Sequence, residues 1–217
     1  NERPQWFTVK NRSRTYVNKI LEKISGEYFK NYNINKVERK TDGVRVFYGE
    51  DNEFFDYDKV VFATHADQTI SIIKNPTDEE KNLLTKFNYK KNIALIHTDE
   101  KVMPSNKKAW SSWNSSINSS NLKESSITYW LNLLQNLNVR KNIFLTLNPF
   151  FQVDKDKIIK KIEFTHPYYN QEALSFQKNL SNIQNKKNIL FCGSYFGYGF
   201  HEDGIKSSID MLKFLDD

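Results

Sequence analysis

Four of the seven glycines in the chain, Gly193, Gly197, Gly199 and Gly204, lie between residues 193 and 204. Before them runs Ile189-Leu190-Phe191-Cys192, and after them Ile205, Ile209, Leu212 and Leu215 recur at helical spacing on one side. A short unbroken apolar run closed by glycine predicts a buried strand, and the later spacing predicts an amphipathic helix over 204–215. Strand, glycine-rich loop and helix start, in that order, let backbone approach a polar or anionic ligand closely. Glycine removes the Cβ, while the first N–H groups and the helix dipole favour negative charge. Glu202 and Asp203 stand at that helix start, where carboxylates stabilise the helix themselves, so they are expected to cap it or to turn away from an anion. The pattern Gly197-x-Gly199-x-x-x-x-Gly204 is not the dinucleotide fingerprint, and no G-x-G-x-x-G occurs in the sequence. Spacing alone leaves a cofactor edge and an ordinary β-to-α turn equally open.

The rest of the chain supplies the context for that stretch. Ser13 is placed to cap a helix over Arg14–Ile24, with Gly26 closing it. Ile34–Lys40, the Asp42-Gly43 turn and Val44–Tyr48 form a hairpin signal, followed by a short strand over 54–58. Lys59–Thr64 reads as a strand covered on both faces, and 67–74 as a short helix. Thr77-Asp78-Glu79-Glu80 is a capping box before a helix over 81–87. Strands are expected at 93–98, 109–114, 126–132 and 143–147, with the Ser/Asn-rich stretch 115–126 as a loop. A further strand over 158–165 is expected to stop at His166-Pro167, before a helix over 171–180. The fold class expected is α+β, an α/β layer holding an inserted, mostly antiparallel sheet. Its division would be 1–75 with 185–217 against 76–184.

Composition limits the function classes. The 217 residues carry a net charge of +6, and aromatic residues make up 14% of them. That aromatic share supports a packed core rather than a disordered chain. The lysines are scattered among carboxylates, and pairs such as Lys90-Lys91 and Lys186-Lys187 read as solvated turns. No nucleic-acid footprint is read from them. A basic nucleic-acid or membrane-surface protein remains as a rival on charge alone. One cysteine, Cys192, cannot form an internal disulfide, and its apolar neighbours make it a buried thiol. This fits a reducing, cytoplasmic compartment. No run of about 20 apolar residues occurs, so no transmembrane segment is expected. The opening Asn1-Glu2-Arg3-Pro4-Gln5-Trp6 lacks a methionine and reads as the start of an excised or processed chain.

Among side chains able to do chemistry, four histidines and one cysteine show no metal-ligand spacing. No metal site is expected, and no G-x-S-x-G elbow supports a serine hydrolase. His201 is the one catalytic candidate, and His65 reads as a positioning residue; His97 and His166 read as structural. Trp110, Trp113, Tyr129 and Trp130 lie on two expected strands. They could line a substrate pocket or pack the sheet, and Trp110 and Trp113 would face opposite sides of a regular strand.

The tail Cys192-Gly193-Ser194-Tyr195-Phe196-Gly197-Tyr198-Gly199-Phe200-His201-Glu202-Asp203-Gly204 resembles the C-terminal flavin motif of the flavin-containing amine oxidase superfamily. It is most like a bacterial branch described as predicted NAD/FAD-binding oxidoreductases. Ser194 stands where that branch usually has alanine, and Ser208 where glycine is common. Further segments resemble the same branch, in the same order: Arg3-Pro4-Gln5-Trp6 with Ser13-Arg14-x-Tyr16-Val17, Ala63-Thr64-His65-Ala66-Asp67-Gln68, Trp110-Ser111-Ser112-Trp113-Asn114, Thr128-Tyr129-Trp130-Leu131-Asn132, Thr146-Leu147-Asn148-Pro149 and His166-Pro167. The resemblance implies FAD as cofactor and oxidation of a small or lipid-like substrate. The strand around Val37 would meet the adenine end. Ala63, Thr64 and His65 would lie near the pyrophosphate or ribitol. Gly193 and Gly199, Phe200, His201, Glu202, Asp203, Gly204 and Ile205 would hold ribitol, pyrophosphate and flavin edge. The resemblance also implies a partner, an N-terminal dinucleotide-binding segment upstream of residue 1. Without it the chain is expected to bind FAD weakly and to be inactive. A non-catalytic binding module of the same fold is the alternative.

Overall fold

The computed structural model describes Gln5, residues 7–51 and residues 53–215. Arg3, Pro4 and Trp6 of the resembling N-terminal segment lie outside the described residues. In chain order the elements are α1 (Ser13–Leu21), β1 (Ile34–Lys40), β2 (Gly43–Tyr48), β3 (Glu53–Tyr57), β4 (Val60–Phe62), α2 (Ala66–Ile72), α3 (Asp78–Leu84), β5 (Asn88–His97), β6 (Trp113–Ile117), β7 (Ser125–Trp130), α4 (Leu131–Leu134), β8 (Phe144–Leu147), β9 (Ile158–Tyr168), α5 (Gln171–Gln177), β10 (Ile189–Phe191) and α6 (His201–Leu212). The class is α+β. The chain divides into a first unit of Asn1–Tyr28 with Lys91–Thr165 and a second of Phe29–Lys90 with His166–Asp217.

In the second unit the hairpin forms as its turn chemistry dictates, with Lys40 opposite Gly43 and Val37 opposite Val46, and β3 adds antiparallel to β2. Gly43 has φ +133°, and a Cβ there would run into the Tyr57 carbonyl oxygen, so the approach of β3 requires glycine. Strands β4 and β10 pair in parallel, Val60 with Ile189 and Phe62 with Phe191. One core joins Val37, Val44, Phe62, Leu83, Leu84, Phe87, Leu180, Ile183, Ile189 and Phe191. Segments 78–87 and 173–183 therefore pack with these strands. The capping box holds: Thr77 Oγ1 accepts the Glu80 N–H at 3.2 Å, and Glu80 Oε2 accepts the Thr77 N–H at 2.8 Å. The same carboxylate is fully buried and pairs with the Arg39 guanidinium.

In the first unit a five-stranded sheet runs β6-β7-β8-β5-β9. Buried within it, His97 Nε2 lies 2.8 Å from Thr146 Oγ1, which lies 2.9 Å from Thr128 Oγ1. His97 Nδ1 accepts the Asp99 N–H at 3.1 Å, so Nε2 carries the proton and the ring is neutral. Burial lowers its pKa, against the opposing pull of Asp99. An unfolded histidine takes up a proton near pH 6.5 while this one resists, so stability falls as pH drops below about 6.5. We expect a loss approaching about 1.4 kcal/mol per pH unit from this group. Urea titrations at pH 7, 6 and 5, followed by the fluorescence of Trp110, Trp113 and Trp130, should show it. His97→Gln should remove that part of the pH dependence.

Several local expectations are corrected. Helix α1 is capped at Arg12 rather than Ser13 and ends at Leu21, short of Gly26. Its Val17 and Ile20 are exposed, so no packing holds a further turn. Trp110 is not in a strand. Residues 107–109 form a 3-10 turn closed by the Asn106 side chain, and β6 begins only at Trp113. The Ser/Asn-rich stretch pairs as far as Ile117 with β7, leaving 118–124 as the loop, because cross-strand pairing overrides weak propensity. Strand β9 continues through His166-Pro167 to Tyr168. It is the last strand of its sheet, where the N–H that proline lacks has no ladder to serve. In β4, Val61 is 41% exposed, so that strand is not covered on both faces. Helix α6 starts at His201, three residues early, and Ile205, Ile209 and Leu212 are 57%, 58% and 54% exposed while Ser207 and Met211 face inward.

Candidate functional site

Parallel pairing decides which distant residues meet. The Cys192 N–H donates to the Phe62 carbonyl at 2.9 Å. The carboxyl ends of β4 and β10 thus lie side by side, with Ala63-Thr64-His65 next to Gly193, and each strand leads towards a helix, α2 or α6. The carboxyl ends of adjacent parallel strands are where open α/β sheets bind ligands. Ala63, Thr64, Gly199, Phe200, His201, Glu202 and Ile205 are exposed here, and His65, Gly193, Asp203 and Gly204 partly so.

The loop 193–200 is held in place by side chains from elsewhere in the second unit. The Gly193 N–H donates to Ser207 Oγ at 2.9 Å, and that hydroxyl donates to the Gly204 carbonyl at 2.7 Å. Gln177 Nε2 donates to the carbonyls of Tyr195 at 3.0 Å and Gly197 at 2.5 Å. Asp203 Oδ2 accepts the N–H groups of Tyr198 and Phe200, both at 2.9 Å. Asp203 therefore caps, as expected, and its charge is spent on the loop's own backbone. Gly199 has φ +92°, and a Cβ there would meet Tyr169 Oη at 3.0 Å; at Gly193 it would meet the Tyr195 ring at 2.8 Å. Those two glycines close the loop, Gly193 on the loop's own Tyr195 and Gly199 on Tyr169 from the segment before α5. Gly204 differs: outside its own helix the nearest atom to its would-be Cβ is Ser194 N at 4.0 Å, so the space beside its Cα is open, while its N–H and carbonyl are bonded to Phe200 and to the hydroxyls of Ser207 and Ser208.

Tyrosines form the layer beneath. Tyr195 is buried with no hydrogen-bond partner for its hydroxyl, and burial raises its pKa well above the ordinary value. Tyr89 Oη accepts the Ala66 N–H at 2.9 Å, its ring stacks on His65 at 4.4 Å, and burial pushes its pKa up to about 12. Burial likewise pushes Tyr169 up to about 12, with Asp203 adding to the effect. His65 is fixed by this stacking and by its carbonyl, which accepts the Thr69 N–H at 2.8 Å. Thr64 Oγ1 shares a hydrogen bond with Thr69 Oγ1 at 2.8 Å.

Other predicted residues stand apart. Val37 is 1% exposed, packed in the core, and its carbonyl accepts the Lys74 N–H at 2.8 Å. Its side chain has no surface to offer a ligand. The four aromatics read as lining a substrate pocket or packing the sheet split into two pairs in the first unit. Trp113 meets Tyr129 edge-on at 5.6 Å, while Trp110 meets Trp130 at 5.3 Å and Phe144 at 5.7 Å. Tyr129 and Trp130 are successive strand residues and so face opposite sides. A cleft of about 700 Å³ in the first unit, near Asp99, Ser116, Phe151 and Asp154, includes none of these four. Another of about 510 Å³ in the second unit lies on the far flank of α6, between Gln184, Phe196, Lys206 and Asp210. Gln177, Tyr169, Tyr89 and Ser207 support the site without any sequence signal, since each reaches it only through packing. Among the described residues no cluster of His, Cys, Asp or Glu could hold a metal ion, and no helix is long and apolar enough to cross a membrane.

No protein-family model matches the sequence, and no curated protein matches it significantly. Solved structures do match in fold. A fatty acid isomerase from P. acnes that produces CLA superposes with a TM-score of 0.66 at 12% identity, over 93% of this chain and 51% of the isomerase. Wild-type putrescine oxidase bound to putrescine gives 0.64 at 8% identity, over 96% and 54%. An engineered triple mutant of that oxidase gives 0.62 at 9%, over 94% and 52%. Both proteins are of the flavin amine-oxidase type, and the chain spans about half the length of the structures it matches.

Proposed function

We propose that this chain, which has a fold found in flavin amine-oxidase-type proteins, is the C-terminal part of an FAD-dependent oxidoreductase completed by an N-terminal dinucleotide-binding segment. One observation carries the reading: the carboxyl ends of parallel β4 and β10 meet at an exposed surface formed by Ala63, Thr64, Gly193 and the start of α6. The residues fit one side of the cofactor. Gly204 leaves space where a side chain would stand in the first turns of α6, and Ala63, Thr64 and Gly199 to Ile205 are within reach of a ligand lying on that surface. Asp203, turned back onto the loop, does not oppose negative charge on a flavin. Any adenine contact from β1 would come from backbone near Val37, not from its buried side chain. When bound, FAD would accept a hydride from a small or lipid-like substrate. His201, exposed in the first turn of α6, is the candidate to touch that substrate or the flavin.

The test is flavin binding by the complete polypeptide. Joined to an upstream segment bearing G-x-G-x-x-G, the protein should purify yellow. FAD at 100 times its Kd should stabilise it by about 2.7 kcal/mol, read as a rise in melting temperature. The 217-residue chain alone should show no shift. A complete polypeptide that is colourless and unmoved by FAD sinks the proposal. Flavin binding with no substrate ever reducing it would favour a binding module of the same fold.

A further inference from the structure

The cleft of about 510 Å³ beside α6 lies wholly within the second unit. One wall comes from the end of α5 and the turn after it, residues 177–184, and the other from α6, with residues 196–198 also lining it. On α6, Lys206, Asp210 and Lys213 follow one another at spacings of four and three, so they share one face of the helix. Lys178 and Ser181 stand on the facing wall, and both are exposed. Apolar side chains line the inner part. Leu180 is 1% and Met211 7% exposed, and Phe196 and Phe214 are half-buried.

The charges around this cleft are unequal in what they leave free. Asp203 Oδ2 is held by the N–H groups of Tyr198 and Phe200. Asp210 Oδ1 accepts Lys213 Nζ at 2.7 Å. Both carboxylates are therefore already committed to donors within the second unit. Neither Lys178 nor Lys206 is in an ion pair among the described residues, and the Ser181 hydroxyl makes no hydrogen bond there. The amide groups deeper in the cleft are used as well. Gln184 both donates to and accepts from the Phe191 backbone, and Gln177 Nε2 donates to the Tyr195 and Gly197 carbonyls. Two ammonium groups and a hydroxyl thus stand uncommitted above an apolar floor. The volume falls in the range of small-molecule sites, about 300–1,000 Å³.

We propose that this cleft is a second ligand site, separate from the surface at Thr64 and Gly193, and that it takes a small amphipathic anion: a carboxylate or phosphate on an apolar body. The acidic head would sit at Lys178, Ser181 and Lys206, where charge-assisted hydrogen bonds are the strong ones. The body would lie along Leu180, Met211 and Phe214, where removal from water favours it. A cation would meet three lysines whose nearest carboxylates are taken. A neutral apolar molecule would cover the ammonium groups without pairing them, and desolvating an unpaired charge is costly.

Titration of the 217-residue chain with decanoate below its micellar concentration, followed by amide NMR shifts, tests the proposal. Saturable shifts are expected at Ser181, Gly197, Lys206 and Phe214, and binding should weaken in high salt. Lys178→Gln with Lys206→Gln should raise the Kd at least about tenfold, the loss of about 1.4 kcal/mol from two charge-assisted contacts. Ser181→Trp, which fills the mouth of the cleft, should abolish the shifts. Both variants change exposed residues and should keep the urea midpoint. Decanol and inorganic phosphate, each carrying half of the chemistry, should bind more weakly than decanoate. The proposal is overturned if decanoate moves none of these amides, if decanol or phosphate binds as tightly, or if the lysine variant binds unchanged. FAD displacing decanoate from the same amides would also overturn it, by assigning the cleft to the cofactor. Decanoate binding undiminished in a complete polypeptide saturated with FAD would support two separate sites.

Discussion

Glu80→Ala is expected to lower the stability of the second unit by about 3–5 kcal/mol, the cost of leaving one partner of a buried ion pair without the other. Glu80 is fully buried, and its carboxylate does two things at once: one oxygen pairs with Arg39 and the other accepts the Thr77 N–H that opens α3. The substitution removes the side-chain half of the capping box, the bond to the Thr77 N–H, and strands the guanidinium of Arg39, whose side chain is only 11% exposed. A fall of this size is a large part of the total for a domain of this kind, typically about 5–15 kcal/mol. Far-UV circular dichroism in urea is the suitable probe, because Trp110, Trp113 and Trp130 all lie in the first unit. The midpoint should drop with the slope unchanged. The double variant Arg39→Met with Glu80→Leu should recover much of the loss, since apolar replacement of a buried pair is often neutral. A cost below about 1 kcal/mol for Glu80→Ala would show that water reaches the pair, as at a surface ion pair.

Phe191→Ala should be comparably damaging, at about 3–5 kcal/mol. Phe191 is fully buried in β10, its ring stacks on Phe62 at 5.9 Å, and its backbone is held on the outer side by Gln184. Truncation opens a cavity in the core on the sheet face that Phe191 shares with Phe62, where little can collapse to fill it. Phe191→Leu should cost roughly 1.5 kcal/mol or less, because it keeps most of the volume. The effect has a functional side too, since β10 delivers Gly193 to the candidate surface beside Thr64. Exchange at the Gly193 amide, which donates to Ser207, should accelerate in the alanine variant by more than in the leucine one. Equal costs for the two substitutions would mean that the ring fills no specific space.

Much of the architecture could be read from local chemistry. The β1–β2 hairpin follows from alternation around Asp42-Gly43, the α3 cap from Thr77 and Glu80, and the buried β10 from its apolar run, because each rests on neighbours within a few residues. The places where reading failed are those where a distant partner overrules propensity. Trp110 left the expected strand for a 3-10 turn and the Pro104 carbonyl, and the polar residues 115–117 became strand because β7 supplied a ladder. Pro167 did not stop β9 because its strand has an open side.

For the candidate site the division is similar. The glycine pattern at 193–204 and the carboxylates Glu202 and Asp203 within it are properties of the sequence, and they sufficed to indicate a loop meeting a helix start. They could not say which glycines serve a ligand. The tertiary structure assigns Gly193 and Gly199 to the loop's own closure against Tyr195 and Tyr169, and leaves Gly204 open. It also turns the apolar side of α6, which the spacing predicted, away from the core. Periodicity records that a face is apolar, but only the packing of Met211 against Leu190 and Cys192 decides that Ile205, Ile209 and Leu212 are the side left uncovered. Strand pairing across more than a hundred residues does the rest, since no local preference can bring Thr64 beside Gly193.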